Sequence, residues 1–105
     1  MNRWGIPLEI EKIVNARDKS CVYCRCKFSS TERKSKASWE HIINDVKITE
    51  LENIALCCVG CNASKGSKTL MAWLDSKYCK EKSITFDTVA EIIRAHILKY
   101  VYSKK

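Results

Sequence analysis

Two Cys-x-x-Cys motifs, far apart in a chain of 105 residues, constrain this sequence more than any other feature. The first runs from Cys21 to Cys24 and the second from Cys58 to Cys61. This spacing lets two thiolates of one tight turn reach a single zinc ion at about 2.3 Å. We therefore predict a tetrahedral structural zinc site, closed by a folded segment that connects the two motifs.

The chain contains seven cysteines, an odd number that excludes complete internal disulfide pairing. Disulfides are not expected in any case, because the N-terminus lacks the apolar stretch of a secretory signal. Two registers stay open, since Cys26 could replace Cys24 and Cys57 could replace Cys58. The spacing favours the four ligands Cys21, Cys24, Cys58 and Cys61. Cys26, Cys57 and Cys79 are then expected to be packing residues.

The composition indicates one modest globular domain over residues 1–105. With 46% hydrophobic residues, one proline and three glycines, the chain lacks a disordered or collagen-like composition. No apolar run approaches the roughly 18 residues of a membrane span. We therefore expect a cytoplasmic protein without a membrane partner.

Hydrophobic periodicity and turn residues indicate a mixed α+β fold. Helices are predicted over residues 7–19, 62–77 and 87–102, and Lys104 and Lys105 suit the C-terminal end of the last one. Strands are predicted over residues 39–43 and 54–58, and the connection between them stays unassigned.

The two histidines of the chain have different settings. His96 lies on the apolar face of the last predicted helix and is expected to be a packed or helix-end residue. His41 directly follows Glu40 inside a predicted strand. Two asparagines frame the second strand and the second Cys-x-x-Cys motif: Asn53 just before that strand, and Asn62 directly after the motif.

The order and spacing of these residues resemble the HNH motif of the ββα-metal nucleases, over about residues 21–68. The matching groups are Glu40-His41, Asn53-Ile54-Ala55-Leu56, Cys58-Val59-Gly60-Cys61-Asn62 and Lys65-Gly66. The resemblance implies a small α+β fold with two antiparallel strands and a helix around a divalent ion. A four-cysteine zinc often staples the fold of this family. The helices predicted over about residues 7–19 and 87–102 flank the matching region and fall outside the resemblance.

The resemblance also implies a role for each polar residue. His41 would be the general base that activates water to attack the scissile phosphorus. Glu40 and Asn62 would ligate a catalytic Mg²⁺ or Mn²⁺ ion. Asn53 would brace the loop between the strands by side-chain hydrogen bonds to the backbone. In this family the acid is usually Asp, so Glu40 is one methylene longer, and Asn62 stands where many relatives carry His.

Elementary chemistry supports these roles and raises one difficulty. A neutral imidazole can take a proton from water near neutral pH. Carboxylate and amide oxygens suit Mg²⁺ or Mn²⁺, whereas thiolates select zinc. However, Glu40 and His41 are adjacent, and neighbouring side chains on a regular strand face opposite sides. Both residues can serve one site only where the strand ends or twists.

The formal net charge of +7 fits a polyanionic partner, and we expect double-stranded DNA. The first candidates for contacts to the phosphate backbone lie in a polar loop just before the strand of His41, and they are Arg33, Lys34 and Lys36. Further candidates are Arg3, Arg17, Lys65 and Lys68; the two lysines would lie near the start of a helix that follows the last zinc ligand.

Three functions are weighed on these grounds. The first is a metal-dependent HNH endonuclease that cuts DNA with a structural zinc and a catalytic Mg²⁺ or Mn²⁺. The second is a zinc-stapled module that binds nucleic acid without catalysis. The third is a thiol redox protein, which would lack tightly bound zinc. A monomer that nicks one strand and a homodimer that cuts both strands are equally compatible with the sequence.

Overall fold

The computed structural model describes residues 2, 4–45 and 47–103, with only the backbone of Ser103. Arg3, Lys104 and Lys105, for which roles are predicted above, lie outside these residues. The described part is α+β, with the helices α1 Leu8–Arg17, α2 Val59–Lys65, α3 Leu70–Leu74, α4 Lys77–Glu81 and α5 Glu91–Ser103, and the strands β1 Ala37–His41 and β2 Ile54–Cys58. Short 3₁₀ turns cover Arg33–Ser35 and Leu51–Asn53. None of the described helices combines the length and apolar character that crossing a membrane requires.

The two strands form an antiparallel hairpin that pairs His41 with Ile54 at the end next to the connecting loop. The predicted bounds of β2 are confirmed, whereas β1 begins and ends two residues before the predicted strand. Pairing stops at His41 because β2 supplies no further strand partner. Beyond it, the Ile42 N–H donates to the Asn53 carbonyl at 2.9 Å, and Ile43 is bonded by the Asn53 side chain.

The hairpin separates two hydrophobic clusters. The larger cluster contains Ala55 and lies on the side of α3 and α5, and the smaller one contains Ile54 and packs against α1. Side chains alternate along a strand. Glu40, which pairs with Ala55, therefore faces the larger cluster, and His41, which pairs with Ile54, faces the other side.

The outer edge of β2 is closed by hydrogen bonds from the segment that follows α1. The Asp18 carboxylate accepts from the Leu56 N–H at 3.0 Å, and the Arg17 guanidinium donates to the Ile54 carbonyl at 2.7 Å. Arg17 also bonds Asp18 through two nitrogens, at 2.7 and 2.8 Å. Its guanidinium is thus committed to the fold, and the predicted contact of Arg17 with DNA is not supported by this geometry.

The chain after the second Cys-x-x-Cys motif forms three short helices, so the prediction of one helix over residues 62–77 is wrong. The first helix starts earlier, at Val59, and ends before Gly66, which has φ +50 and ψ −127. A left-handed φ of this kind is cheap only for glycine. Thr69 and Ser76 then each cap a new helix by accepting a backbone hydrogen bond.

The helices near the chain ends are observed with shifted boundaries. The helix predicted over residues 7–19 spans Leu8–Arg17, with Pro7 at its N-cap position. The helix predicted from residue 87 begins only at Glu91, because a turn held by Thr85 and Thr88 precedes it. His96 is partly buried on this helix, and its Nε2 lies 2.6 Å from the carbonyl oxygen of Glu52.

Candidate functional site

The clearest candidate site is the cysteine cluster, formed by Cys21, Cys24, Cys58 and Cys61. Its four sulfur atoms all lie within 4.8 Å of one another, and the sulfurs of Cys24 and Cys58 are 3.8 Å apart. A zinc ion with four sulfur ligands at about 2.3 Å sets its ligands about 3.8 Å apart. Within the described residues, no other group of three or more His, Cys, Asp and Glu could hold a metal. The cluster therefore has the predicted ligand register.

Hydrogen bonds to sulfur favour thiolates in this cluster. The backbone N–H of Cys24 donates to Cys21, that of Cys61 donates to Cys58, and the Tyr78 hydroxyl donates to Cys61, at 3.4–3.5 Å. The pKa of Cys21 lies far below its ordinary value, chiefly because the thiols of Cys58 and Cys61 donate hydrogen bonds to it, and the same bonds raise the pKa of both donors. The cluster thus favours a thiolate at Cys21, and thiolate is the form that binds zinc.

The other three cysteines lie outside the cluster. Cys57 and Cys79 are fully buried, and Cys26 is partly buried against the larger hydrophobic cluster. Burial raises the pKa of Cys57 and Cys79, and it raises the pKa of Cys26 to about 12. These thiols stay protonated at neutral pH, as expected of packing residues.

His41 lies at the end of β1 and is 9% exposed. Among the described residues, its Nε2 is the one buried side-chain nitrogen or oxygen without a hydrogen-bond partner. Burial lowers the pKa of His41, and Lys65 lowers it further, whereas the carboxylates of Glu40 and Asp45 oppose the shift. The imidazole is therefore neutral at neutral pH, which is the form that a general base requires.

Asn53 makes the bracing hydrogen bonds that are predicted for it. Its side-chain oxygen accepts from the Ile43 N–H at 2.6 Å. Its side-chain nitrogen donates to the carbonyls of Ile43 and Ile48, at 3.2 and 3.0 Å. This buried amide thus fixes both ends of the loop that leaves His41.

Asn62 lies on α2, which runs back along β1. The side-chain nitrogen of Asn62 donates to the Ser38 hydroxyl at 3.0 Å and to the Trp39 carbonyl at 3.3 Å. The backbone N–H of Val59, at the start of the same helix, donates to the Lys36 carbonyl at 3.0 Å. The side-chain oxygen of Asn62 is consequently the atom left for the predicted metal ligation.

Glu40 does not fit the role of a divalent-ion ligand. Its carboxylate is buried in the larger cluster, where Oε2 accepts from the Tyr23 hydroxyl at 2.6 Å. The same oxygen lies 3.0 Å from the ammonium nitrogen of Lys65. A divalent cation on this oxygen would meet a fixed positive charge at close range. The structure therefore does not assemble Glu40 and Asn62 as a ready Mg²⁺ or Mn²⁺ site.

Lys65 is 1% exposed, so the prediction that its ammonium contacts nucleic acid is wrong. Besides Glu40, this ammonium reaches the Ile42 carbonyl at 3.0 Å. One signal in the sequence indicates this burial: Lys65 is four residues after Cys61, and residues at that spacing share one helix face. Lys68 differs, because it is exposed and its ammonium donates to the Ser64 carbonyl on its own segment, at 3.2 Å.

The three exposed basic residues before β1 form what we call the basic turn, Arg33, Lys34 and Lys36. It lies at the cysteine-cluster end of the hairpin, where Ala37 pairs with Cys58. His41 lies four residues further along β1, which corresponds to about 13 Å. The structure thus separates the basic turn from His41 by the length of the strand.

Comparison with known proteins returns no match: no family model, no curated protein and no solved structure is similar to this chain. The function proposed below therefore rests on the geometry of the chain's own residues.

Proposed function

We propose that this protein is an HNH-type endonuclease that hydrolyses phosphodiester bonds in double-stranded DNA, with His41 as general base. One observation carries the proposal. A buried, neutral imidazole with an unpaired ring nitrogen stands at the end of a β-hairpin, and the helix that follows the hairpin starts in a four-cysteine cluster. This order of elements, β1, β2 and α2, is also the order that the resemblance to HNH nucleases implies.

The proposed chemistry at His41 is proton removal from water. The water oxygen forms a bond to phosphorus, His41 takes the proton, and the bond from phosphorus to the leaving sugar oxygen breaks. A general base must be unprotonated at the working pH, and burial lowers the pKa of His41 and so keeps its imidazole unprotonated. Asn53 supports the reaction indirectly, because it holds the Ile43 backbone two residues beyond the base.

Zinc in the cysteine cluster has a structural part in this proposal. Four cysteine ligands leave no open position for substrate, which is typical of structural zinc. Cys61 and Asn62 are neighbours at the start of α2, so the metal fixes the backbone that presents Asn62 to β1. The zinc thereby stabilises a small domain whose core alone is modest.

The proposal retains a divalent ion, Mg²⁺ or Mn²⁺, which would neutralise charge on the phosphoryl oxygens when bound. Of the two predicted protein ligands, Asn62 keeps a side-chain oxygen for this role, whereas the carboxylate of Glu40 does not fit. No step of the proposed reaction is therefore assigned to that ion.

The basic turn is the proposed contact to the phosphate backbone. Its three cationic side chains are exposed, and the chain carries a net charge of +7. The separation of about 13 Å from His41 corresponds to about four base-pair steps along a duplex. We therefore expect the backbone contacts and the cleaved bond to lie several nucleotides apart. Lys68 is a further candidate contact.

Cleavage of supercoiled plasmid tests the proposal directly. We expect nicked or linear products in Mg²⁺ or Mn²⁺, and none in EDTA. The variant His41→Ala should lose at least about 100-fold in rate while it keeps its zinc content and circular dichroism. The matched control, His96→Ala, removes the other histidine and should cleave normally. Unchanged cleavage by His41→Ala would overturn the assignment.

A second candidate function is a zinc-stapled module that binds nucleic acid without cutting it. The specific observation in its favour is that Glu40, the expected metal ligand, is committed to Tyr23 and Lys65. This candidate predicts a gel shift with duplex DNA that involves the basic turn, but no cleavage in any divalent metal. The plasmid assay therefore separates the two functions.

A further inference from the structure

Three buried polar side chains from three different segments meet at one carboxylate oxygen, and we call this group the Glu40 junction. Tyr23 lies inside the first Cys-x-x-Cys motif and is 0% exposed, and Lys65 ends α2 and is 1% exposed. The Tyr23 hydroxyl donates to Glu40 Oε2 at 2.6 Å, and the Lys65 ammonium lies 3.0 Å from the same oxygen.

The two buried charges of the junction, on Glu40 and Lys65, each need the other as a counter-ion. An ammonium without contact to solvent is tolerated only beside an opposite charge or after loss of its proton. Glu40 is the carboxylate that lies against Lys65, and Lys65 in turn compensates the buried carboxylate. A second cation on Glu40 would compete directly with this ammonium.

The junction also holds the backbone on both sides of His41. Lys65 is bound to the Glu40 side chain, one residue before the histidine, and to the Ile42 carbonyl, one residue after it. Lys65 belongs to the helix that starts in the second Cys-x-x-Cys motif, and Tyr23 belongs to the first motif. Both halves of the cysteine cluster are thereby connected to the strand that carries His41.

We infer that Glu40 is a positioning residue for His41, acting as the buried counter-ion of Lys65, and is not a ligand of the catalytic ion. This inference rests on the proposed nuclease function for its catalytic part. The junction itself is a property of the fold and can be tested without cleavage.

A double-mutant cycle tests the inference. The variants are Glu40→Gln, Lys65→Met and the combination of the two, in which both charges are removed together. The matched control is Lys99→Met, which removes an exposed lysine of α5 that has no part in the proposed site. For each protein we would measure the thermal unfolding midpoint, the zinc content, and kcat and KM for a labelled DNA duplex over a range of Mg²⁺ concentrations.

We expect each single variant to lower the unfolding midpoint by more than about 10 °C, because it leaves one buried charge unpaired. The combined variant should recover at least about half of this loss. The single variants should lose about 10- to 100-fold in kcat through displacement of His41, with KM for DNA nearly unchanged. The combined variant should regain most of the lost kcat at the wild-type Mg²⁺ requirement, and Lys99→Met should change neither midpoint nor kcat.

Two results would overturn the inference. Losses in midpoint that simply add in the combined variant would show that the two charges do not form a pair. A combined variant that folds and keeps its zinc, yet has the low kcat of Glu40→Gln and needs more Mg²⁺, would make Glu40 a metal ligand. If the single variants fail to fold, the combined variant decides the matter alone by its activity and Mg²⁺ requirement.

Failure of the proposed function has a different signature. A wild-type chain that cleaves no DNA overturns the nuclease assignment and, with it, the positioning role of Glu40. The unfolding midpoints of the wild type, the two single variants and the combined variant still decide whether the charged pair exists.

Discussion

Asn53 binds the backbone of Ile43 in both directions: its side chain accepts from the Ile43 N–H at 2.6 Å and donates to the Ile43 carbonyl at 3.2 Å. The amide thus supplies the hydrogen bonds that a strand partner would supply, at a point beyond the last residue pair of β1 and β2. Strand pairing stops at His41, and the Asn53 side chain holds the loop that follows. The position of the proposed base therefore depends on one buried side chain.

We predict that Asn53→Ala lowers the free energy of unfolding by about 1–3 kcal/mol, because it removes the hydrogen bonds that the buried Asn53 side chain makes to the backbone of Ile43 and Ile48. Urea denaturation of zinc-loaded protein measures this change. The control Asn44→Ala alters an exposed asparagine in the same loop and should stay within about 0.5 kcal/mol of the wild type. Equal effects of the two variants would contradict a specific role for Asn53.

We predict that the protein binds one zinc ion per chain and unfolds when a strong chelator removes it, because metal binding and folding are coupled in small zinc domains. Elemental analysis gives the stoichiometry, and the absorption spectrum of the Co²⁺-substituted protein reports thiolate ligation. Circular dichroism during chelation follows the loss of structure.

The pair Cys24→Ser and Cys26→Ser tests the ligand register, because the two positions lie on the same loop but only Cys24 belongs to the cysteine cluster. Cys24→Ser should lose zinc, whereas Cys26→Ser should keep it. Loss of zinc from Cys26→Ser alone would show that Cys26, and not Cys24, is the zinc ligand. Absence of bound zinc in the purified wild-type protein would instead favour the thiol redox function.

We predict that replacing the three residues of the basic turn by Ala weakens DNA binding and flattens its salt dependence. Each lost phosphate contact lowers the slope of log K against log salt concentration by about 0.9 for duplex DNA. Fluorescence anisotropy of a labelled duplex at several salt concentrations measures the slope. The control replaces three exposed lysines around α4 by Ala, which are Lys77, Lys80 and Lys82. An equal change in slope for both triple variants would show that only net charge matters.

Local sequence patterns were sufficient to predict much of the candidate site. The x-x spacing identifies the cysteine cluster, because geometry requires two thiols of one turn to share an ion. The short apolar run of residues 54–58, bounded by Asn53 and Gly60, predicts β2 correctly. The resemblance to HNH nucleases implies the bracing role of Asn53, and its hydrogen bonds to the loop are observed.

The predictions for Lys65 and Arg17 fail because of interactions between segments that are distant in the sequence. Lys65 looks like a surface lysine until the structure brings Glu40, from a separate strand, to its ammonium. Arg17 likewise gains the Ile54 carbonyl, at the edge of β2, as a partner only in the folded chain. The helix after the cluster was predicted too long, because apolar periodicity outweighed Gly66 and the two capping residues in that segment.

We predict that the stability of the protein falls as the pH drops below about 6.5, and that His41 accounts for part of this loss. Burial lowers the pKa of His41 in the folded state. Between that lowered pKa and the ordinary value the unfolded chain binds more protons than the folded chain, so stability rises with pH across this window. The contribution is complete above the ordinary pKa and is lost as the pH falls towards the folded one.

Urea denaturation of the wild type and of His41→Gln, at pH values from about 5 to 8, measures this contribution as the difference between the two stability profiles. Zinc content is recorded at each pH, so that metal release, which affects both proteins, is separated from the titration of the imidazole. The wild type should lose its stability advantage over His41→Gln as the pH falls, and cleavage by the wild type should persist to lower pH than an unperturbed histidine would allow. Parallel stability profiles of the wild type and His41→Gln would show that His41 is not buried in its neutral form. The variant His96→Gln serves as a control, and a profile that changes only in this variant would assign the effect to the other histidine.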